Sequence, residues 1–161
     1  MASFTASSVA HDAKRSPGDL LAIKMGITKI WKGDNVLIKG TDGYAYSTYA
    51  TGAAGDQFVG IAAETVDNRY SVEGDASSAA AAAGDRTCPC WQNGIVDRDI
   101  ATCAIATDLG LPVYAAIGVG TDHPRMVVVA DPGDAPLVGK IVGIISATKV
   151  RVVVQAWGTV V

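Results

Sequence analysis

The sequence predicts an all-β chain: a small β-barrel or β-sandwich of short strands, with an extended N-terminal arm and one Ala-rich loop. Three observations carry that prediction. There are 19 Val and 12 Ile against 6 Leu, and branching at Cβ restricts χ1 in a way that favours strands over helices. Of the 16 acidic residues, 14 are Asp, a residue of turns and caps, and only Glu64 and Glu73 are Glu, the type that fills helix faces. The 18 Gly include those of Gly33-Asp34, Gly55-Asp56, Gly84-Asp85 and Gly133-Asp134, each pair ahead of an apolar run. Glycine accepts positive φ and aspartate bonds its own following backbone, so the pair is a repeated way of starting a strand. At 161 residues the chain is long enough for one domain with a sizeable core.

Residues 1–18 show no helical or alternating period, and Ser16-Pro17-Gly18 closes them with a turn signal, so they form an arm ahead of a single β-rich domain over 19–161. Leu20, Leu21, Ile23, Ile27, Ile30 and Trp31 precede Lys32-Gly33-Asp34, with Val36 and Ile38 beyond it; these are two short strands around a turn. Thr41-Asp42-Gly43 is a hairpin-type turn. Residues 57–63 are an apolar strand, and Gly60 inside it marks a bulge or a close backbone approach. Residues 69–86, with Ala79 to Ala83 in a row, read as a surface loop holding at most one short helix, because two turns of Ala helix do not repay nucleation. Strands resume over 87–91, 94–96, 100–105, 112–117, 126–130, 138–145 and 150–157. In the last, Val150, Val152 and Val154 alternate with Arg151, Val153 and Gln155, giving one wholly apolar face. Nine or ten short strands at this spacing argue for a sandwich or barrel.

Composition also bounds function. A net charge of −3 argues against a broad phosphate-neutralising surface, and no apolar run of about 20 residues could span a bilayer as a helix, so neither nucleic acid nor a membrane is an expected partner. Cys88, Cys90 and Cys103 are an odd number without framework spacing, and the N-terminus has no continuous apolar signal core. Two thiolates and His123 could supply soft metal ligands, yet no second C-x2-C pair exists, and residues two apart share a strand face, so Cys88 and Cys90 also fit as small core residues. No cofactor or metal is expected.

The chemistry of an enzyme is thin. His11 lies in the arm and His123 in a Pro-bounded turn, neither a supported general base. Asp97-Arg98-Asp99 reads as a solvated turn, since Arg98 would repel a cation held by the two carboxylates. Gly118-Val119-Gly120 does not open a helix, as a phosphate loop requires. Tyr44 and Tyr46 share a face and suit a half-buried cross-strand cluster; together with Tyr49 or a Trp they could instead offer a sugar platform. Trp31, Trp91 and Trp157 serve core or interface, and Trp is enriched at binding hot spots.

The strand motifs come in a definite order: Gly33-Asp34-Asn35-Val36, Gly55-Asp56-Gln57-Phe58-Val59-Gly60-Ile61-Ala62, Ala83-Gly84-Asp85-Arg86-Thr87 leading to Gly94-Ile95-Val96, Leu111-Pro112-Val113-Tyr114, Val142-Gly143-Ile144 and Val150-Arg151-Val152-Val153-Val154. This series, over about residues 30 to 157, resembles the capsid cement, or head decoration, proteins of tailed bacteriophages. The Ala-rich insertion after Val72 and the long N-terminal stretch depart from that family. The resemblance implies a small β-domain, often a homotrimer, made in the host cytoplasm and bound through the major capsid protein to the outside of the expanded head, where it stiffens the shell. It carries over no catalytic residue. The residues expected to make capsid or oligomer contacts are Phe4, Val9, Lys14 and Arg15 in the arm, with Trp91 and Trp157 as buried anchors. The arm is expected to order along another chain's exposed edge, where main-chain hydrogen bonds supply affinity. The alternative function is a carbohydrate-binding β-module on a virion fibre or cell surface.

Overall fold

The computed structural model describes residues 20–47, 56–116, 125–129 and 135–157, and these are almost entirely β. Leu20–Lys24 (β1), Asn35–Ile38 (β3), Ala45–Ser47 (β4), Gln57–Ala62 (β5) and Thr87–Trp91 (β7) form one sheet in the order β1-β7-β5-β3-β4. Asn93–Ile100 (β8), Pro112–Ala115 (β9), Met126–Val128 (β10), Leu137–Ser146 (β11) and Lys149–Gln155 (β12) form a closed barrel in the order β10-β8-β12-β11-β9. Lys29–Ile30 (β2) and Val66–Asp67 (β6) make a small two-stranded ladder, and Ile105–Asp108 (α1) is a single helical turn. Closing a barrel removes exposed strand edges. Here three-residue β10 makes the closure, parallel to β8 and antiparallel to β9.

The alternation over 150–155 does what its sequence dictates. Val150, Val152 and Val154 are buried in the barrel core, while Arg151, Val153 and Gln155 face out. That core is shared with the neighbouring sheet, since Leu37, Phe58 and Ile61 pack into one cluster with Val96, Ile100, Val113, Val138 and Ile141. The opposite face of the sheet supplies a second core, in which Ile23, Val36, Val59, Cys88 and Cys90 meet Met25, Ile30 and Val66. Phe58 and Val59 thus serve different cores, as adjacent strand residues must.

Gly60 explains how Ile61 comes back to the barrel side. The register between β3 and β5 slips at this point, with Val36 opposite Gly60 but Leu37 opposite Phe58, and Gly60 takes φ of 140°. A Cβ there would fall on the carbonyl oxygen of Trp91. The expected bulge and the expected close approach are therefore one feature.

Two segments differ from the sequence reading. Residues 94–96 and 100 belong to one eight-residue strand, β8, which runs straight through Asp97-Arg98-Asp99, and the chain leaves the sheet at 101 rather than continuing to 105. The expected solvated turn is absent because period-two alternation puts Val96, Arg98 and Ile100 on the inner face, while Asp97 and Asp99 face β12 partners directly opposite them. Arg151 Nε donates to Asp97 Oδ1 at 3.0 Å, and Lys149 Nζ lies 3.9 Å from Asp99 Oδ1. Cross-strand ion pairs thus hold as strand what composition alone assigns to a turn. Among the described residues the helical turn sits at 105–108, where Asp108 Oδ2 accepts from Ala104 N–H at 2.7 Å, and the Ala run contains none.

The loop over 69–86 is tied down by polar side chains. Arg86 Nη1 donates to the carbonyls of Asp67 and Tyr70 at 3.0 and 2.7 Å, and Nη2 to that of Ser71 at 3.0 Å. Buried Asn68 Nδ2 donates to the carbonyls of Gly26 and Ala82 at 3.0 and 3.1 Å. Such bonds replace the ladder that an irregular segment lacks.

Two of the Gly-Asp turns work backwards, while in Gly74-Asp75 the carboxylate works forwards, Asp75 Oδ1 accepting from Ser77 N–H at 2.9 Å. Asp34 Oδ2 accepts from Trp31 N–H at 2.9 Å and Asp85 Oδ2 from Ala82 N–H at 2.7 Å, each three residues earlier, where the sequence suggested bonds to the following backbone. Asp56 instead accepts from Gly40 N–H at 3.1 Å, and Gly133-Asp134 lies outside the described residues.

Candidate functional site

The residues expected to touch a partner divide by what surrounds them. Phe4, Val9, Lys14 and Arg15 lie outside the described residues, as do His11, Tyr49 and His123. Trp91 ends β7, opposite Leu20 of β1 and Ile61 of β5, and is half-buried against the barrel core. Trp157 lies in the turn two residues past the end of β12, in a left-handed conformation, φ 59°, and is 46% exposed. Its N–H donates to the Phe58 carbonyl at 2.9 Å, and Ala156 N–H to that of Gln92 at 3.0 Å. The fold therefore brings the backbones next to both tryptophans to one seam, where β7 passes with only Gln92 between into β8 and the sheet meets the barrel. Trp91 faces mainly inward there, and Trp157 outward.

From that seam an exposed apolar strip crosses the outer face of the barrel. Val153 on β12 sits directly opposite Ile95 on β8 and Lys140 on β11, and Val142 follows Lys140 two residues on. Ile95, Val142 and Val153 are 43%, 48% and 37% exposed. Single exposed aliphatics are ordinary, but here β-branched groups stand outward on three adjacent strands, with Lys140 opposite Val153 and Val142 at the register break between Ile141 and Gly143. Its rim is charged, with the Asp97–Arg151 pair at one end. The sequence held these residues, but their grouping needed the register: Ile95 and Val153 are 58 positions apart in the chain and become neighbours only by strand pairing. A second exposed apolar element is the outer edge of the sheet, where Leu20 and Leu21 of β1 are each 41% exposed on opposite faces.

The tyrosine pair is half-buried, as its spacing suggested. Tyr46 packs its ring onto Gly26, where a Cβ would collide with it, and Lys39 Nζ lies 4.2 Å from the ring centroid. Its hydroxyl donates to Asp42 Oδ2 at 2.8 Å; burial and this carboxylate push the phenol up to about 12. A ring with both its neighbours and its hydroxyl engaged makes a poor sugar platform. Trp31 is 42% exposed, with Lys29 Nζ 3.8 Å from its centroid.

Among the described residues no three His, Cys, Asp or Glu side chains gather as a metal would need. Cys88 and Cys90 are both fully buried, with their Sγ atoms 3.8 Å apart, while Cys103 Sγ donates to the Ser146 carbonyl at 3.0 Å. The neighbouring Cys88 sulfur and burial raise the Cys90 thiol well above its ordinary range, which disfavours the thiolate that metal ligation or alkylation needs. Cys88→Ala and Cys90→Ala are each expected to cost about 1 to 2 kcal/mol, as small core truncations do. Thiol titration of the folded protein should show Cys88 and Cys90 reacting only after denaturant is added.

No family model and no curated protein matches this chain.

Proposed function

We propose that this protein is a structural virion component that binds the outer surface of a phage capsid and stabilises the expanded head, acting as a homotrimer against the major capsid protein. The ordered Gly-Asp and Gly-Val strand motifs suggest the role, and the observation that carries it is the apolar strip of Ile95, Val142 and Val153 with its ion-paired rim. A module repeated over a shell needs only a modest interface per copy, because each contact favours the assembled lattice by mass action. A rigid barrel face, formed without ordering any loop, makes such a contact at low entropic cost.

The test is occupancy on expanded, undecorated heads, read by cosedimentation and electron microscopy. Val142→Glu should leave stability within about 0.5 kcal/mol, since the residue faces outward, and lower head occupancy at least about tenfold. Full occupancy by this variant would remove the strip from the contact. No binding of the unsubstituted protein, beside a positive glycan array, would favour the carbohydrate-binding module, for which exposed Trp31 is the best-placed ring.

A further inference from the structure

The Gly-Asp turns at Gly33-Asp34 and Gly84-Asp85 are built alike and placed differently. In both, the Asp N–H donates to, and the Asp Oδ2 accepts from, the residue three earlier: Trp31 for Asp34 and Ala82 for Asp85. Asp85 does this at the surface, whereas Asp34 is 1% exposed. The turn uses one carboxylate oxygen, so making it does not account for burying the other. Asp34 Oδ1 takes no hydrogen bond among the described residues and instead faces Arg125 Nε at 3.6 Å.

Arg125 immediately precedes β10, the strand that closes the barrel with two paired residues on each side. The same guanidinium donates through Nη2 to the Lys32 carbonyl at 2.8 Å, and Asn35 Nδ2 donates to the Met126 carbonyl at 3.3 Å. Three contacts thus bind the start of the shortest barrel strand to the 31–35 turn of the neighbouring sheet. The charged groups acting on Asp34 are Arg125 ahead of β10 and Arg98 from β8, and Arg98 in turn feels Asp97 and Asp99.

We propose that Asp34 is a proton-dependent latch: its carboxyl group holds β10 against the sheet and so sets how often the barrel opens at its β8–β10–β9 seam. Burial dominates over the two guanidiniums and pushes the Asp34 carboxyl up from 3.8 to about 6. The latched state therefore binds the proton more tightly than an opened state in which the carboxyl meets water. Acid favours the latch, and opening grows as pH rises from the ordinary aspartate range through about 6, then levels off. With those two values the opening equilibrium at pH 7.5 is about tenfold that at pH 5. The latch is independent of what the outer barrel face binds.

The experiment is amide hydrogen exchange of the full chain by NMR at pH 5 and pH 7.5, corrected for intrinsic rates. Opening of Val127 and Val128 should rise about tenfold at the higher pH while β5 amides stay unchanged, and Asp34→Asn should abolish that rise. An equal rise in β5 would mean global unfolding, and a rise that persists in Asp34→Asn would mean another titrating group; either overturns the latch. Should that variant not fold, the carboxyl carbon of Asp34 in the unsubstituted protein decides: a midpoint near 6 supports the latch, and one below about 4.5 refutes it.

Discussion

Gly60→Val should leave little folded protein, and Gly60→Ala should cost about 3 to 5 kcal/mol, lowering Tm by about 10 °C or more in thermal melts. Two causes add. The φ of 140° is one that side chains rarely adopt, and the new Cβ would fall on a backbone atom, the Trp91 carbonyl oxygen, which cannot swing away as a flexible side chain could. Relief would require pulling β5 from β7, the pairing that joins the two halves of the sheet. Gly43 provides the control. It also has positive φ, 74°, but a Cβ there meets nothing within 4 Å, so Gly43→Ala should cost only about 1 kcal/mol. Equal losses at the two positions would show that backbone strain, not the approach to Trp91, makes Gly60 necessary.

Arg98→Ala should destabilise by about 3 to 5 kcal/mol, read from chemical denaturation at pH 7.5, because it opens a cavity and leaves buried Asp34 with one cation fewer. Arg98 is the largest fully buried side chain among the described residues, lying on the same β8 face as Val96 and Ile100. Burial lowers its guanidinium to about 9, against which Asp34, Asp99 and Asp97 pull upward, so it remains a cation at neutral pH. Arg98→Met keeps the stem and most of the volume while removing the charge. Only one partner is removed, so buried Asp34 still loses a cation, and this variant should cost about 1 to 2 kcal/mol less than Arg98→Ala, by the cavity it does not open. Removing the cation should also move the Asp34 midpoint upward. If Met and Ala cost the same, charge rather than packing is what Arg98 contributes.

The architecture was legible where local chemistry and burial agree. Val150, Val152 and Val154 show their inward face by alternation alone, Gly60 shows its bulge by being a glycine inside an apolar strand, and the Val and Ile excess shows the class. The candidate surface was legible only in part. Trp157 is exposed at the seam, but the strip of Ile95, Val142 and Val153 is invisible in the chain because each residue there looks like core.

Residues 97–99 mark the boundary between the two kinds of information. Three charged residues in a row read as a solvated turn, since no property of Asp-Arg-Asp by itself reveals that Arg151 and Lys149 will stand opposite the carboxylates or that Asp34 will lie near enough to act on the guanidinium. Likewise Asp34 and Asp85 open the same turn from the same dipeptide, and their sequences do not say which is buried. The sequence by itself determined the strand-rich class, the inner face of β12 and the places where the backbone must bend, because those depend on side-chain shape and on neighbours within a few residues. Tertiary structure alone decided which charges went inside, which aliphatics stayed outside and which strand closes the barrel. Those outcomes depend on partners distant in the chain, 91 positions away in the case of Asp34 and Arg125, and a buried charge is tolerable only where such a partner arrives.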